Sequence, residues 1–114
     1  MWFDSGRSAW RRLKQRDKLP TAIVAINDQY AVALIEEARA DGVDVPGQLS
    51  VIGYDDRYCS AATNLTTVHV PVEELGVAAA ALMVERLAGP VSDTRKELIL
   101  SPSLVVRGST TAIR

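Results

Sequence analysis

Six polar residues stand where apolar runs break off. Asn27 and Asp28 follow Ala22-Ile23-Val24-Ala25-Ile26, and Tyr54, Asp55 and Asp56 follow Leu49-Ser50-Val51-Ile52-Gly53. His69 closes on a third run, Thr66 to Val70, which leads into Pro71. In open α/β sheets ligands bind beyond the C-terminal ends of the strands, so these residues form a polar mouth. Carboxylate oxygens accept hydrogen bonds and a side-chain amide both donates and accepts, a set that matches the hydroxyls of a sugar or another polyol. An Asp placed directly after a strand also commonly caps the helix that follows. That is the preferred reading of Asp28 and Asp56, which leaves Asn27 and Asp55, one place earlier in each turn, as the ligand-contact candidates.

The same residues argue against other chemistries. Magnesium is usually held by one or two carboxylates together with substrate phosphates, and the chain carries no glycine-rich phosphate loop, no lysine of the phosphate-loop kind and no paired base beside its acids. An acid-dependent phosphohydrolase built on Asp55 and Asp56 is the enzyme alternative. Against it, His69 lies inside a strand pattern between Val68 and Val70 with no associated serine or cysteine motif, and reads as a half-buried structural residue. Cys59 has no nameable activating base and reads as a small packing residue. No metal and no cofactor is expected.

Elements that would position the mouth are visible in the periodicity. Residues 1–18 hold six of the thirteen basic residues, with Ala9, Trp10 and Leu13 at helical spacing and Ser5 available as an N-cap; the basic side reads as a solvated outer face. After Pro20 the run 22–26 has the form of a strand buried on both faces. Ala31, Leu34, Ile35 and Ala38 then stripe a helix that begins at Asp28 and stops at Gly42. Strand, helix and second strand imply a right-handed crossover and a parallel sheet. Val72 to Ala88 reads as a further helix ended by Gly89-Pro90, and Glu97 to Leu100 and Leu104 to Arg107 are strand candidates separated by Pro102.

Composition bounds the rest. At 114 residues, 47% hydrophobic, one domain is the ceiling. A formal net charge of −1 is the wrong balance for a surface that neutralises many phosphates, so the chain as a whole is not expected to bind nucleic acid. One cysteine excludes an internal disulfide and a thiolate zinc cluster; with no apolar stretch of membrane-spanning length, the expected setting is cytoplasmic.

Several ordered segments resemble the lactose- and galactose-repressor (LacI/GalR) regulators. Pro20 to Asp28 is similar to the family's P-T-A-I-x-A-x-N-D segment, Val45 to Asp56 to V-P-x-D-I-S-V-V-G-Y-D-D, and Leu65 to Val68 to L-T-T-V. Glu74-Leu75-Gly76 and Leu104 to Thr110 complete the series. The resemblance implies an incomplete periplasmic-binding-protein-like fold of type I: an open parallel sheet flanked by helices, residues 4–69 in the C-terminal lobe, 72–101 in the N-terminal lobe, and 103–110 as the return strand. By the same likeness a sugar-like effector is bound between lobes and contacts Asn27 and Asp55, with Tyr54 lining the region. Val70, Pro71, Pro102 and Ser103 fall at hinge crossovers, and Tyr30, Ala31, Leu34, Arg57, Tyr58 and Cys59 fall on a dimer-forming surface. Two departures bear on the ligand: Val70 stands where sugar repressors carry a polar residue, and Gln48 replaces the usual acid of the turn. The helix-turn-helix head of the family is absent from these residues, so operator DNA would be reached only through that head. A homodimer, either plain or segment-swapped, is expected because parts of the fold would be left uncovered. The alternative is the solute-binding protein of a sugar transporter.

Overall fold

The computed structural model describes residues 2–89 and 96–112. Eight elements follow in order: α1 (Trp2–Leu13), β1 (Ala22–Val24), α2 (Asp28–Ala40), β2 (Ser50–Asp55), α3 (Tyr58–Ala62), β3 (Thr66–His69), α4 (Val72–Ala88) and β4 (Ser103–Val105). The chain divides into two compact units, residues 1–69 with 103–114, and residues 70–102.

The first unit holds a four-stranded sheet in the order β1-β2-β3-β4. β1, β2 and β3 run parallel, and β4 joins β3 antiparallel with Leu104 opposite Val68 and Ser103 opposite His69. The sheet is therefore mixed, an antiparallel edge added to the parallel order expected from the sequence. The hydrophobic core is gathered where α1 and α2 meet the strands: Trp10, Leu34, Ile35, Val51 and Leu65 are buried there with the small residues Ala31 and Ala38. Trp10 donates its indole Nε1–H to Asp41 Oδ2 at 2.6 Å, which ties α1 to the C-terminal end of α2. Lys14 donates to the same oxygen at 2.8 Å. Arg7 and Arg11 reach Glu37 while their side chains stay exposed, so the basic side of α1 is a solvated face with the acids of α2 at its edge. Gly42 takes the left-handed φ of +83° just beyond α2, the stop anticipated there.

Three local expectations are corrected. α1 starts at Trp2, so Ser5 lies inside the helix and does not cap it. The run 22–26 is not a strand buried on both faces: β1 is three residues long and among the described residues has a partner on one side only, and Val24 and Ile26 are 77% and 65% exposed. Residues 97–100 form no strand, with Leu98 and Ile99 exposed. A strand needs a ladder partner, and no described strand pairs with residues 97–100.

The second unit contains α4, which spans Val72–Ala88 as the periodicity indicated and has acids Glu73 and Glu74 in its first turn, where the helix dipole favours them. Leu75, Met83 and Leu87 on this helix are exposed. Pro90, the expected stop, lies outside the described residues.

Candidate functional site

The C-terminal ends of the strands bring the candidate residues into one row. The pairing Val24 with Ile52, carried on by the Ala25 N–H donating to the Ile52 carbonyl at 2.8 Å, leads Asn27 to the level of Asp55. Asp55 is the register partner of His69, and His69 of Ser103. Asn27, Asp55, His69 and Ser103 thus succeed one another across the four strand ends. Tyr54 is exposed one residue back from Asp55, on the opposite side of the pleat.

The two acid turns are built differently from the capping expectation. Asn27, not Asp28, is the N-cap of α2: its backbone is extended and its Oδ1 accepts from the Tyr30 N–H at 2.8 Å. That bond leaves the Asn27 amide Nδ2 as the group available to a ligand. Asp28 is fully buried and acts as a junction. Its Oδ2 accepts from the Arg57 backbone N–H at 2.7 Å and from the Ser60 hydroxyl, while its Oδ1 accepts from the Thr67 hydroxyl at 2.5 Å. One carboxylate thereby joins the start of α2 to α3 and β3. The turn after β2 is held in place by it, and Gly53 is required there because a Cβ would run into Asp28 and Leu65.

Asp56 is not a cap either. The N-cap position of α3 is Arg57, whose side chain makes no capping bond. Asp56 Oδ1 instead accepts from Arg107 Nη2 at 2.8 Å, and Oδ2 lies 3.1 Å from His69 Nδ1. Arg107 also donates Nη1 to the Leu65 carbonyl at 2.8 Å. The Arg107 guanidinium, foremost by its hydrogen bond, holds the Asp56 carboxyl below its ordinary value of 3.8, and His69 adds to the effect against partial burial. Sequence reading missed Arg107, whose partner is 51 residues away; the adjacency of β3 and β4 that brings them together is not written in either segment alone.

Asp55 has the opposite character. It is half-buried, its φ is +106°, and no described residue hydrogen-bonds its carboxylate. Burial, helped by the nearby Asp28 charge and opposed by Arg57, raises its pKa. A backbone in this region is costly for any residue except glycine, and such positions cluster where a side chain must be aimed at a ligand. Asp56, at φ +56°, continues the same tight turn.

Other predicted positions separate. Ala31 and Leu34, on the apolar stripe of α2 that meets the sheet, and Cys59, on α3, are buried within this chain and expose little surface to a second copy. Arg57 and Tyr58 are exposed and Tyr30 is half-buried. Val70 and Pro71 are half-buried and Pro102 and Ser103 exposed, and the boundaries between the two compact units fall at these residues. A groove of about 920 Å³ in the first unit lies elsewhere: it runs between α1 and β1, with Ile23, Val24 and Ile26 on one side and Arg12 and Arg16 on the other. Its strand wall is apolar, and Asn27 and Asp55 do not line it.

The model of the periplasmic binding protein-like domain matches residues 2–110. The chain belongs to that family. Within it, the relatives are LacI-type transcription regulators. The arabinose metabolism transcriptional repressor of Geobacillus stearothermophilus is 36% identical over 102 residues, covering 88% of this chain and 28% of the repressor. Among solved structures, a LacI family transcriptional regulator from Enterococcus faecalis with bound ribose matches at a TM-score of 0.87 and 32% identity, over 98% of this chain and 42% of that one. One from Lactobacillus casei with bound sucrose matches at 0.81 and 30%, over 95% and 40%. The chain spans about a third of the length of the curated relatives it matches. These relatives are regulators, not enzymes. No described helix is long and apolar enough to cross a membrane.

Proposed function

We propose that these residues form the effector-sensing part of a LacI-type transcription regulator, with a sugar-like polyhydroxylated molecule held at the strand-end row. Asn27 donates from Nδ2, Asp55 accepts hydroxyl protons, and Tyr54 borders the strand-end region from the other side of the pleat. The observation that carries this reading is Asp55: a half-buried carboxylate without a protein partner, on a left-handed backbone, level with an Asn whose amide is free. The sugars bound in two matched regulators support the ligand class. The chemistry is binding rather than turnover, the setting is the cytoplasm, and operator DNA is reached through a part of the parent regulator outside these residues. The Val70-Pro71 and Pro102-Ser103 segments act as hinges. An effector that prefers one state of the parent over the other shifts its DNA occupancy.

Tyr58 and Arg57, with Tyr30 at their margin, form the dimer surface. A sedimentation or light-scattering mass equal to one chain at all concentrations would refute the dimer. The transporter alternative is disfavoured by the relatives, which are transcription regulators.

Thermal-shift screening against ribose, sucrose, cellobiose and nucleosides tests the site. Binding to the native state raises the melting temperature. The expected result is a shift with a sugar that both Asn27→Ala and Asp55→Asn abolish; a shift that survives both substitutions places the ligand elsewhere.

A further inference from the structure

We propose that His69 is a third ligand-contacting residue of the strand-end row, its ring set by Asp56 and Arg107 so that Nε2 accepts a hydrogen bond from a ligand hydroxyl. The inference rests on the effector-site reading above and extends it to a residue that the sequence places at the polar mouth but whose preferred reading there was structural. Three observations carry it. His69 is the register partner of Asp55, so the two lie side by side at the ends of β2 and β3. Its side chain is 43% exposed rather than enclosed by the valines on either side. Its Nδ1 is engaged by Asp56 at 3.1 Å, and Nε2 has no partner among the described residues.

The Asp56 contact decides the ring chemistry. A carboxylate can only accept, so Nδ1 carries the proton that it donates to Asp56, and in the neutral ring Nε2 is then an acceptor. Asp56 is itself fixed by Arg107, which is anchored on the Leu65 carbonyl at the start of β3. Asp56 and Arg107 are positioning residues: they orient the imidazole and choose its tautomer without reaching the ligand. With His69 included, the row offers one donor, Asn27 Nδ2, and two adjacent acceptors, Asp55 and His69 Nε2. Two neighbouring acceptors select a ligand with two neighbouring hydroxyl donors, a vicinal diol, over one with amide or carboxylate groups at that place.

His69 is the only histidine in the chain, which makes its ring directly observable. Long-range ¹H–¹⁵N correlation on the ¹⁵N-labelled chain at pH 7.5 should show Nδ1 protonated and Nε2 bare, and Asp56→Asn should erase that preference. Titration with ribose, sucrose and cellobiose, followed at the amides of Asn27 and Asp55 and at the His69 ring, supplies the ligand test. A sugar that moves all three signals, with His69→Leu weakening its Kd at least tenfold and His69→Gln, which keeps an acceptor, staying within threefold, supports the proposal. A sugar that moves Asn27 and Asp55 while the ring nitrogens stay still overturns it and leaves the effector site standing. If no sugar moves any of them, the effector-site reading falls and the proposal falls with it.

Discussion

Removing the Asp28 carboxylate should cost this domain a large share of its stability, and the size of the loss follows from its three bonds. In Asp28→Ala the Arg57 N–H, the Ser60 hydroxyl and the Thr67 hydroxyl lose their acceptor at a buried junction. Ser60 has a substitute, because its hydroxyl already lies 2.6 Å from the Arg57 carbonyl. Thr67 is orphaned in the interior and the Arg57 N–H at its partly exposed edge, and at about 1–3 kcal/mol for a fully buried unsatisfied group the loss is about 1–4 kcal/mol. Domains of this size are stable by roughly 5–15 kcal/mol, so the variant should be largely unfolded at temperatures where the parent is not. Asp28→Asn keeps Oδ1 for Thr67 but turns an amide donor toward the Arg57 N–H, and should fall between the two. Urea unfolding followed by the fluorescence of buried Trp10 gives the numbers. A loss below about 1 kcal/mol for Asp28→Ala, the net worth of one ordinary hydrogen bond, would refute the view of Asp28 as the junction that positions the site.

Four further outcomes follow from the same geometry. Asn27→Asp should preserve the cap and the fold while losing sugar binding, whereas Asn27→Ala should lose both, with about 1 kcal/mol of stability; equal melting temperatures for the two variants would contradict the cap assignment. Asp55→Asn should melt higher than the parent at pH 7, since a carboxyl whose folded pKa is raised destabilises the fold while ionised, and Asn tolerates a left-handed backbone. The gap should close as the pH falls and Asp55 takes up its proton; a gap that widens on acidification would refute this. Asp56 and Asp41 behave in the reverse sense, both being held below 3.8, Asp41 by Lys14 and then Trp10, and Asp56 by Arg107. Their contribution is whole above that value and is lost as the pH drops through the lowered folded values, so Asp56→Asn should flatten the acid limb of a stability-against-pH curve. Gly53→Ala should destabilise the fold through its clash with Asp28 and Leu65, and an unchanged melting temperature would show that the turn has room after all.

Helix α4 is legible to the residue because Leu75, Ala79, Leu82 and Met83 carry the helical period and Gly89 closes it, all of it local information. The parallel order of β1, β2 and β3 is legible too, since a helix between two apolar strands leaves few other topologies. β4 pairing antiparallel with β3 is not, because which run wins a sheet edge depends on where the chain returns. The exchange of roles between Asn27 and Asp28 has a similar cause. Either residue can cap, and a one-residue shift of the helix start is invisible in the sequence. What settles it is the burial of Asp28 against Ser60 and Thr67, thirty-two and thirty-nine residues away. Asp55 was legible as a ligand candidate from its place after a strand; the Asp56, His69 and Arg107 group behind it was not, for it exists only once β3 and β4 lie together.

A crystal structure of this chain with the sugar that raises its melting temperature most tests directly whether the strand-end row holds the ligand. Ligand hydroxyls are expected within hydrogen-bond distance of Asp55 and of Asn27 Nδ2 at the strand ends. A sugar seated instead in the groove between α1 and β1, with Asn27 and Asp55 untouched, would contradict it.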